Sequence, residues 1–356
     1  MNFKLSKFVN LPFFITLAVY IAIVSLLPPL FQKYRLEPIR ISNSQGRTIM
    51  YADLNSDNIS ETVIKNSYGG NNAFIYTDNA GYVMEQLNMK KKIPEHHLSA
   101  FEDFDDNGFS EHYFLTMSKD SIFLNAVEYP NLSTPFIKDR FITTIEKNIH
   151  GSYDFSAETK NISRDINQDG YKEILFNITA GFSYRPRAMY AYDVKNDSLY
   201  VYDADGIHFF LEYFFDFNDG KGEKLVFSSF ATDNHRDREG VAHPDTTAWL
   251  LICNNDLTEA FKPIPIGKPG TNLQAAPIKK DNSDQFDLFV LQSGLRQKSS
   301  VTQAYLFSSD GSLLESKALP KLKGKFFVLL KNPVNHNHVA ILDPQGTIHK
   351  YDNELN

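Results

Sequence analysis

Short runs of β-branched and aromatic residues alternate with acidic loops along most of the chain. Residues 62–64, 174–178 and 288–291 are examples of these runs, and such side chains suit the pleated, half-buried surface of a β-strand. Turn sequences such as Asp310–Gly311 follow them, and Asp-Gly supplies the positive φ angles that tight hairpins need. Segments with helical periodicity are nearly absent after residue 35. The pattern predicts an all-β fold.

The acidic loops recur at regular intervals. Their leading residues, Asp53, Asp103, Asp165 and Asp216, are 50 to 62 residues apart, and a fainter copy begins at Lys280. Each repeat is predicted to contain a strand, an acidic loop, a second strand and a hairpin. About four strands in a unit of about 50 residues are typical of a propeller blade. We therefore predict a β-propeller.

The predicted propeller spans residues 36–356, with six blades favoured and seven as the main alternative. The last unit is one strand short. Residues 36–42 are extended in sequence character and would supply that strand. Closing the ring in this way would remove an exposed sheet edge.

Three of the loops share a nine-residue pattern, with Asp or Asn at positions 1, 3 and 5 and Glu at position 9. Side chains at alternate positions lie on one side of a tight loop, and a backbone carbonyl at position 7 adds a ligand for Ca²⁺, which takes about six to eight oxygens. The predicted calcium ligands are Asp53, Asn55, Asp57, Ile59 and Glu61 in loop 1, Asp103, Asp105, Asn107, Phe109 and Glu111 in loop 2, and Asp165, Asn167, Asp169, Tyr171 and Glu173 in loop 3.

Bare acidic turns are the alternative, because Asp and Asn side chains also accept bonds from nearby backbone N–H groups. Loop 4 (residues 216–223) is one residue short, so that its glutamate is out of register, and loop 5 (residues 280–287) is fainter still. We expect these two loops to be free of metal. Where an ion is bound, its predicted role is structural.

The three complete loops resemble the FG-GAP repeats of integrin α-subunit propellers and their bacterial relatives. Residues 180–188 and 244–251 resemble the propeller sensor region of membrane-bound sensor histidine kinases of Bacteroidetes type. The resemblance covers nearly the whole chain after residue 35, and it implies an extracytoplasmic sensor propeller. The second span, the phospho-acceptor helix and the Gly-rich nucleotide-binding region of those kinases are not found in this sequence, so the resemblance implies a detached or truncated sensor half.

An uncharged run from Phe8 to Phe31 precedes the repeats. Its centre, residues 11–27, is long enough to cross the roughly 30 Å hydrocarbon core of a membrane as a helix. Proline at positions 28 and 29 ends it, because proline cannot continue the helical hydrogen bonds. No small-residue cleavage site follows, so we expect an uncleaved signal-anchor.

Residues 1–35 are thus predicted to form a cytoplasmic stub and a single transmembrane segment. Basic residues on both sides of the run leave its orientation open. Calcium loops of external proteins bind weakly and need an external calcium concentration to be filled. On that ground the propeller is placed on the extracytoplasmic side.

The densest polar segment, residues 233–245, follows a predicted inner strand and should lie near the propeller axis. With two arginines of the preceding blade it forms the predicted ligand site, Arg185, Arg187, His235, Arg236, Asp237 and His243. Arginine offers paired donors to an anionic or sugar-like ligand, whereas a solvated loop with local ion pairs is the alternative. No nucleophile motif or catalytic carboxylate pair can be placed, so the chain is expected not to be an enzyme.

These features favour a membrane-tethered sensor or ligand-binding module that acts through a protein signalling partner. A calcium-dependent adhesion or glycan-binding protein with an extracellular ligand is one alternative, and a propeller hydrolase or lyase is another. The net charge of −7 gives no indication of a nucleic-acid partner.

Overall fold

The computed structural model divides the chain into two units, Met1–Gln45 and Gly46–Asn356. The residues that it describes are 16, 17, 19–21, 23, 47–66, 72–94, 98–148, 150–158, 163–181, 184–234, 240–294, 302–319, 322, 328–330 and 337–355. In the first unit, the described residues between Thr16 and Ile23 are helical. Most of the predicted span at residues 11–27, and the predicted boundary after residue 35, lie outside the described residues.

Among the described residues, no helix has both the length and the apolar character needed to cross a membrane.

The second unit is built from antiparallel strands, which confirms the all-β prediction. The described strands form six successive groups. Group 1 contains β1 (Arg47–Ala52), β2 (Glu61–Asn66), β3 (Ala73–Thr77) and β4 (Val83–Asn88); group 2 contains β5 (Ser99–Glu102), β6 (Glu111–Ser118), β7 (Ser121–Glu128) and β8 (Ile137–Thr144); group 3 contains β9 (Phe155–Glu158), β10 (Ser163–Arg164), β11 (Glu173–Ala180), β12 (Arg187–Asp193) and β13 (Ser198–Asp203).

The second half of the unit repeats this arrangement. Group 4 contains β14 (His208–Asp216), β15 (Glu223–Phe230), β16 (Ala248–Asn254) and β17 (Ile264–Ile266); group 5 contains β18 (Thr271–Lys279), β19 (Phe286–Gly294), β20 (Gln303–Phe307) and β21 (Leu313–Ala318); group 6 contains β22 (Val328–Leu330), β23 (Val339–Leu342) and β24 (Ile348–Tyr351).

Strands that follow one another in a group pair side by side, so each group is an antiparallel meander. In group 3 the first strand is broken in two, because β9 and β10 both pair with β11. Groups 4 and 5 are joined into one sheet by a short β15–β18 pairing at Ser229↔Leu273 and Phe230↔Asn272.

The hydrophobic core lies between consecutive groups. Five clusters of buried side chains each contain residues of two groups that are adjacent in sequence, from groups 1 and 2 through to groups 5 and 6. In β11 every residue is buried. There, Phe176 contributes to the cluster shared with group 2 and Leu175 to the cluster shared with group 4, because successive side chains of a strand point to opposite faces. The groups therefore stack face to face in chain order.

A closed propeller would also bring group 6 against group 1. Among the strands that the structure describes, none of group 6 pairs with a strand of group 1. Residues 36–42, which were predicted to complete the last group, lie outside the described residues. The described residues form six stacked meanders, and the closed ring stays a prediction.

Candidate functional site

Loops 1 to 3 occupy the same place in groups 1 to 3. Each joins the first strand of its group, at the edge of the sheet, to the second strand, and its position-9 glutamate is the first residue of that second strand. Glu61 lies opposite Ala52 and Glu111 lies opposite Glu102 in the strand register. The three loops are thus presented at the same edge of three successive meanders.

The same hydrogen bonds hold all three loops. In loop 3 the backbone N–H of Asp169 donates to Asp165 Oδ1 and Asn167 Oδ1, both at 3.0 Å, and the N–H of Gly170 donates to Asp165 Oδ2 at 3.0 Å. The N–H of Tyr171 donates to Asp169 Oδ1 at 3.0 Å. The corresponding bonds of loops 1 and 2 are 2.8 to 3.1 Å long. These bonds fix the acidic side chains around the loop centre.

Position 6 of each loop needs a positive φ angle. Gly108 and Gly170 have φ of 93° and 89°, and Asn58 takes this position in loop 1 with φ of 67°. Glycine adopts this region without strain, and asparagine tolerates it better than most residues.

The position-9 glutamates lie beneath the loops rather than on their surface. Glu61, Glu111 and Glu173 are 3%, 3% and 0% exposed. One oxygen of each accepts the backbone N–H of position 2, with N···Oε2 distances of 2.8, 2.9 and 2.7 Å. The other oxygen of Glu173, Oε1, is buried without a hydrogen-bond partner.

Burial raises the pKa of Glu111 and of Glu173 to about 7, and nearby carboxylates add to the effect. Burial also raises the pKa of Glu61. Among the described residues, none of these three glutamates forms an ion pair with a lysine or arginine. The negative charge beneath each loop therefore has no basic side chain bound to it.

A second acidic residue, which the sequence analysis missed, lies beside two of these glutamates. Glu128 of β7 pairs directly with Glu111 of β6. Asp193, the last residue of β12, follows Tyr192, which pairs with Ile174 next to Glu173. These acids are about 20 residues from the glutamates in sequence. Only the strand register of the following hairpin shows that they lie beside the glutamates.

Among the described residues, loop 2 is where three carboxylate groups come close enough together to hold a metal ion. Oxygens of Asp103, Asp105 and Glu111 all lie within 4.8 Å of one another. Two oxygens bound to one Ca²⁺ at about 2.4 Å lie no more than about 4.8 Å apart. The spacing and the all-oxygen donor set fit a hard cation such as Ca²⁺.

Loop 4 differs from loops 1 to 3 by the charge at position 9. Lys224 lies opposite Phe215 in the register, which is the place that Glu61 takes opposite Ala52. The side chain of Lys224 is buried, and its amine contacts Asp219 of the same loop.

Loop 5 contains lysines as well. Asp287 lies at position 9 opposite Ile278, which puts Lys279 at position 1. The amine of Lys279 donates to Asp284 Oδ1 at 2.8 Å, and Lys280 lies 3.2 Å from Asp287 Oδ1. Loops 4 and 5 thus contain positive charge of their own at positions where loops 1 to 3 have carboxylates. This favours the prediction that loops 4 and 5 do not bind metal.

The predicted ligand residues fall into three sets. Arg185 is half exposed and its guanidinium lies 2.5 Å from Asp205 Oδ1, while the N–H of Ala242 donates to Asp205 Oδ2 at 2.6 Å. This aspartate brings the segment that contains His243 close to Arg185. The ring of His243 packs edge-on against Trp249 at 4.9 Å between centroids. His235, Arg236 and Asp237 lie outside the described residues.

Arg187, the second predicted ligand arginine, is only 1% exposed. Its Nη1 donates to the carbonyl of Gly206 at 3.0 Å and lies 3.9 Å from Asp245 Oδ2. Burial lowers the pKa of Arg187 to about 10, so its guanidinium is positively charged at neutral pH. A pocket of 360 Å³ adjoins Arg187 and is also lined by His208 and Thr179. Arg187 therefore lies in the wall of this pocket.

No family model matches this sequence, and no curated protein matches it. Among solved structures, the chain is similar to the V. cholerae biofilm matrix protein Bap1, with a TM-score of 0.35 and 13% sequence identity over 80% of this chain and 41% of that chain. It is also similar to a eukaryotic initiation factor, with a TM-score of 0.32 and 9% identity over 78% of this chain and 66% of that chain. The chain thus spans less than half of the first of these proteins, and neither likeness bears on its function.

Proposed function

We propose that this chain is a calcium-stabilised, six-bladed β-propeller that is tethered to the membrane by its N-terminal segment. In this proposal the propeller is an extracytoplasmic ligand-binding or sensor module that acts through a protein partner. The six consecutive meanders support the propeller, because each shares a core cluster with the next. Residues 36–42 would complete the last blade.

The observation that carries the calcium proposal is the state of Glu173. This carboxyl is fully buried, one of its oxygens has no partner, and Asp193 lies beside it. Burying an ionised carboxylate without a partner costs several kcal/mol or shifts its pKa. A divalent cation bound by loop 3 would accept the free oxygen and offset the charge of both acids.

In loops 1 to 3 the cation would be held by the side chains at positions 1, 3, 5 and 9 and by the backbone carbonyl at position 7. Bound in this way, Ca²⁺ would supply positive charge between the first two strands of a meander. Its role would be structural, because the protein ligands surround it and fix the loop. The ligand of the module would bind in the pocket beside Arg187, where a buried guanidinium offers its donors to an acidic or hydroxylated group.

Thermal unfolding of the full chain in detergent, with and without millimolar Ca²⁺, tests this proposal. A ligand that binds only the native state stabilises it, by about 2.7 kcal/mol for each site at 100 times its Kd. We expect calcium to raise the melting temperature of the wild type. The triple variant Asp53→Asn, Asp103→Asn, Asp165→Asn should lose this rise.

Asp284→Asn in loop 5 is the matched control, since it changes an exposed loop aspartate that already pairs with Lys279. It should retain the full response to calcium. If the wild type shows no response and purifies without bound metal, the calcium proposal is wrong.

The membrane tether has its own test. The full chain should stay with the membrane fraction after alkaline extraction, whereas a chain that lacks residues 1–35 should be released. External protease should digest the propeller in intact cells with a permeabilised outer envelope. Protection of the propeller from that protease would contradict its extracytoplasmic placement.

A further inference from the structure

The acids at the end of the third strand in groups 2 and 3 lie beside the buried loop glutamates. Glu128 and Glu111 are directly cross-strand partners, and like charges that face each other across a sheet are destabilising. Asp193 stands beside Glu173 in the same way, one residue beyond the Ile174↔Tyr192 pair. The same juxtaposition therefore occurs in two successive groups.

Each of these acids is tied to its calcium-type loop by an asparagine of that loop. Asn107 donates through Nδ2 to Glu128 Oε1 and, at 3.2 Å, to Asp105 Oδ2. In group 3, Asn167 donates through Nδ2 to Asp193 Oδ2 at 3.0 Å. The third-strand acid thus belongs to the same polar network as the loop in both groups.

The remaining bonds of Asp193 leave room for one more partner. Its Oδ1 accepts the N–H of Asn196 at 2.9 Å, and its Oδ2 accepts Nδ2 of Asn196 at 2.8 Å and a longer bond of 3.4 Å from Ser198 Oγ. A carboxylate oxygen has two lone pairs, so Oδ1 retains one. Beside it, Glu173 Oε1 is buried with no partner.

Loop 1 lacks this arrangement. Asp78 follows Thr77, which pairs with Thr62 next to Glu61, so it occupies the corresponding place. Its Oδ1 instead accepts the N–H groups of Ala80 and Tyr82, at 3.0 and 2.8 Å, within its own hairpin turn. In group 4 the corresponding residue is Asn254, which pairs with Lys224.

We propose that Glu128 and Asp193 are additional metal ligands, which reach the cations of loops 2 and 3 from the third strand of each group. The inference rests on the proposed calcium function. Each of these sites would then be built from the acidic loop between the first and second strands and from the end of the third strand. It would have six protein donors, whereas the site of loop 1 would have five. Six oxygens meet the lower limit of about six to eight that Ca²⁺ takes. Loops 2 and 3 should therefore bind calcium more tightly than loop 1.

Calcium titration of the full chain by competition with a chromophoric chelator tests the assignment. We expect Glu128→Gln to weaken calcium binding at loop 2, and Asp193→Asn to weaken it at loop 3, each by about 10-fold or more. This is the usual scale for losing a group that supports a metal site. Asp78→Asn is the matched control at the same register position. It should leave calcium affinity nearly unchanged, because Asn55 of loop 1 donates to Asp57 of its own loop, whereas the asparagines of loops 2 and 3 donate to the third-strand acids.

Thermal unfolding of the same variants distinguishes a metal ligand from a structural side chain. In metal-free protein, Glu128→Gln removes a like-charge pair and should raise the melting temperature, whereas in saturating calcium it should lower it. A side chain that only packs would lower the melting temperature under both conditions. Glu128 is partly exposed, so this variant also guards against loss of folding in Asp193→Asn, whose side chain is buried.

Unchanged calcium affinity in both variants, with normal binding by the wild type, would overturn this inference alone. No calcium binding by the wild type would overturn the proposed function and this inference together.

Discussion

The residue at position 9 of a loop sets the charge at the start of the second strand of its group. Glu61, Glu111 and Glu173 hold this position in three groups, and Lys224 holds it in the fourth. Burial opposes ionisation of Asp219, but the bond from Lys224 outweighs it and holds the pKa of Asp219 below its usual range. The same backbone register therefore accommodates either a carboxylate that lacks a counter-charge or an ion pair that is complete.

Lys224→Ala should destabilise the protein by about 3 kcal/mol, the scale for breaking a buried ion pair by removing one partner. The double variant Lys224→Ala, Asp219→Asn should recover part of that loss, because no unpaired charge remains. Chemical denaturation of both variants measures the difference. Calcium should not change it, and a calcium-dependent difference would mean that loop 4 binds metal after all.

At the scale of the element, the sequence predicted the positions of these strands and of the acidic loops between them. The runs at residues 174–178 and 288–291 lie within β11 and β19, and each complete acidic loop joins two strands. The position of Lys224 was not foreseen. Loop 4 was judged one residue short on the basis of Glu223, whereas the pairing of Lys224 with Phe215 keeps the same count as in loop 1.

The third-strand acids were missed for a related physical reason. Which residue of β7 or β12 faces a loop glutamate depends on the length and bulges of the intervening hairpin, and residue type does not reveal it. The register that places Glu128 opposite Glu111 is a property of the folded pair. A single sequence therefore predicts the loop but not its neighbour across the sheet.

A substitution at Phe176 tests the packing between groups 2 and 3. This side chain is fully buried in β11, in the cluster shared by groups 2 and 3, and its ring stacks on Tyr190 at 5.5 Å. Phe176→Ala should cost about 3 to 5 kcal/mol of unfolding free energy, as large-to-small core substitutions do. Val201→Ala in β13, where the side chain is 49% exposed, should cost less than about 0.5 kcal/mol.

Chemical denaturation of the two variants measures these costs. Equal effects of Phe176→Ala and Val201→Ala would contradict the burial of β11 on the face that packs against group 2.

At the scale of the whole molecule, the buried glutamates couple stability to pH. The pKa values of Glu111 and Glu173 are raised from 4.5 to about 7 in the folded protein, first by burial and then by neighbouring carboxylates. Between these two values the native state holds protons that the unfolded state has released. The stability of metal-free protein should therefore fall as the pH rises through this window.

Saturating calcium should abolish that fall, because the cation holds both carboxylates in their ionised form. Melting temperatures of metal-stripped and calcium-loaded protein between pH 5 and pH 8 measure the effect. Glu111→Gln with Glu173→Gln should flatten the profile of the metal-free protein. The same slope with and without calcium would show that these glutamates do not meet the ion.

The lysines of loops 4 and 5 have a consequence for the order in which parts of the protein unfold when calcium is removed. These lysines pair with acids of those same loops, whereas the buried position-9 glutamates of loops 1 to 3 would depend on a cation under the proposed function. Local opening free energies can differ between contiguous parts of one protein. Removal of calcium should therefore speed amide hydrogen exchange in β2, β6 and β11 well before it does so in β15 and β19. The chain would then behave as two cooperative segments in series, one governed by the ion concentration around it and one indifferent to it.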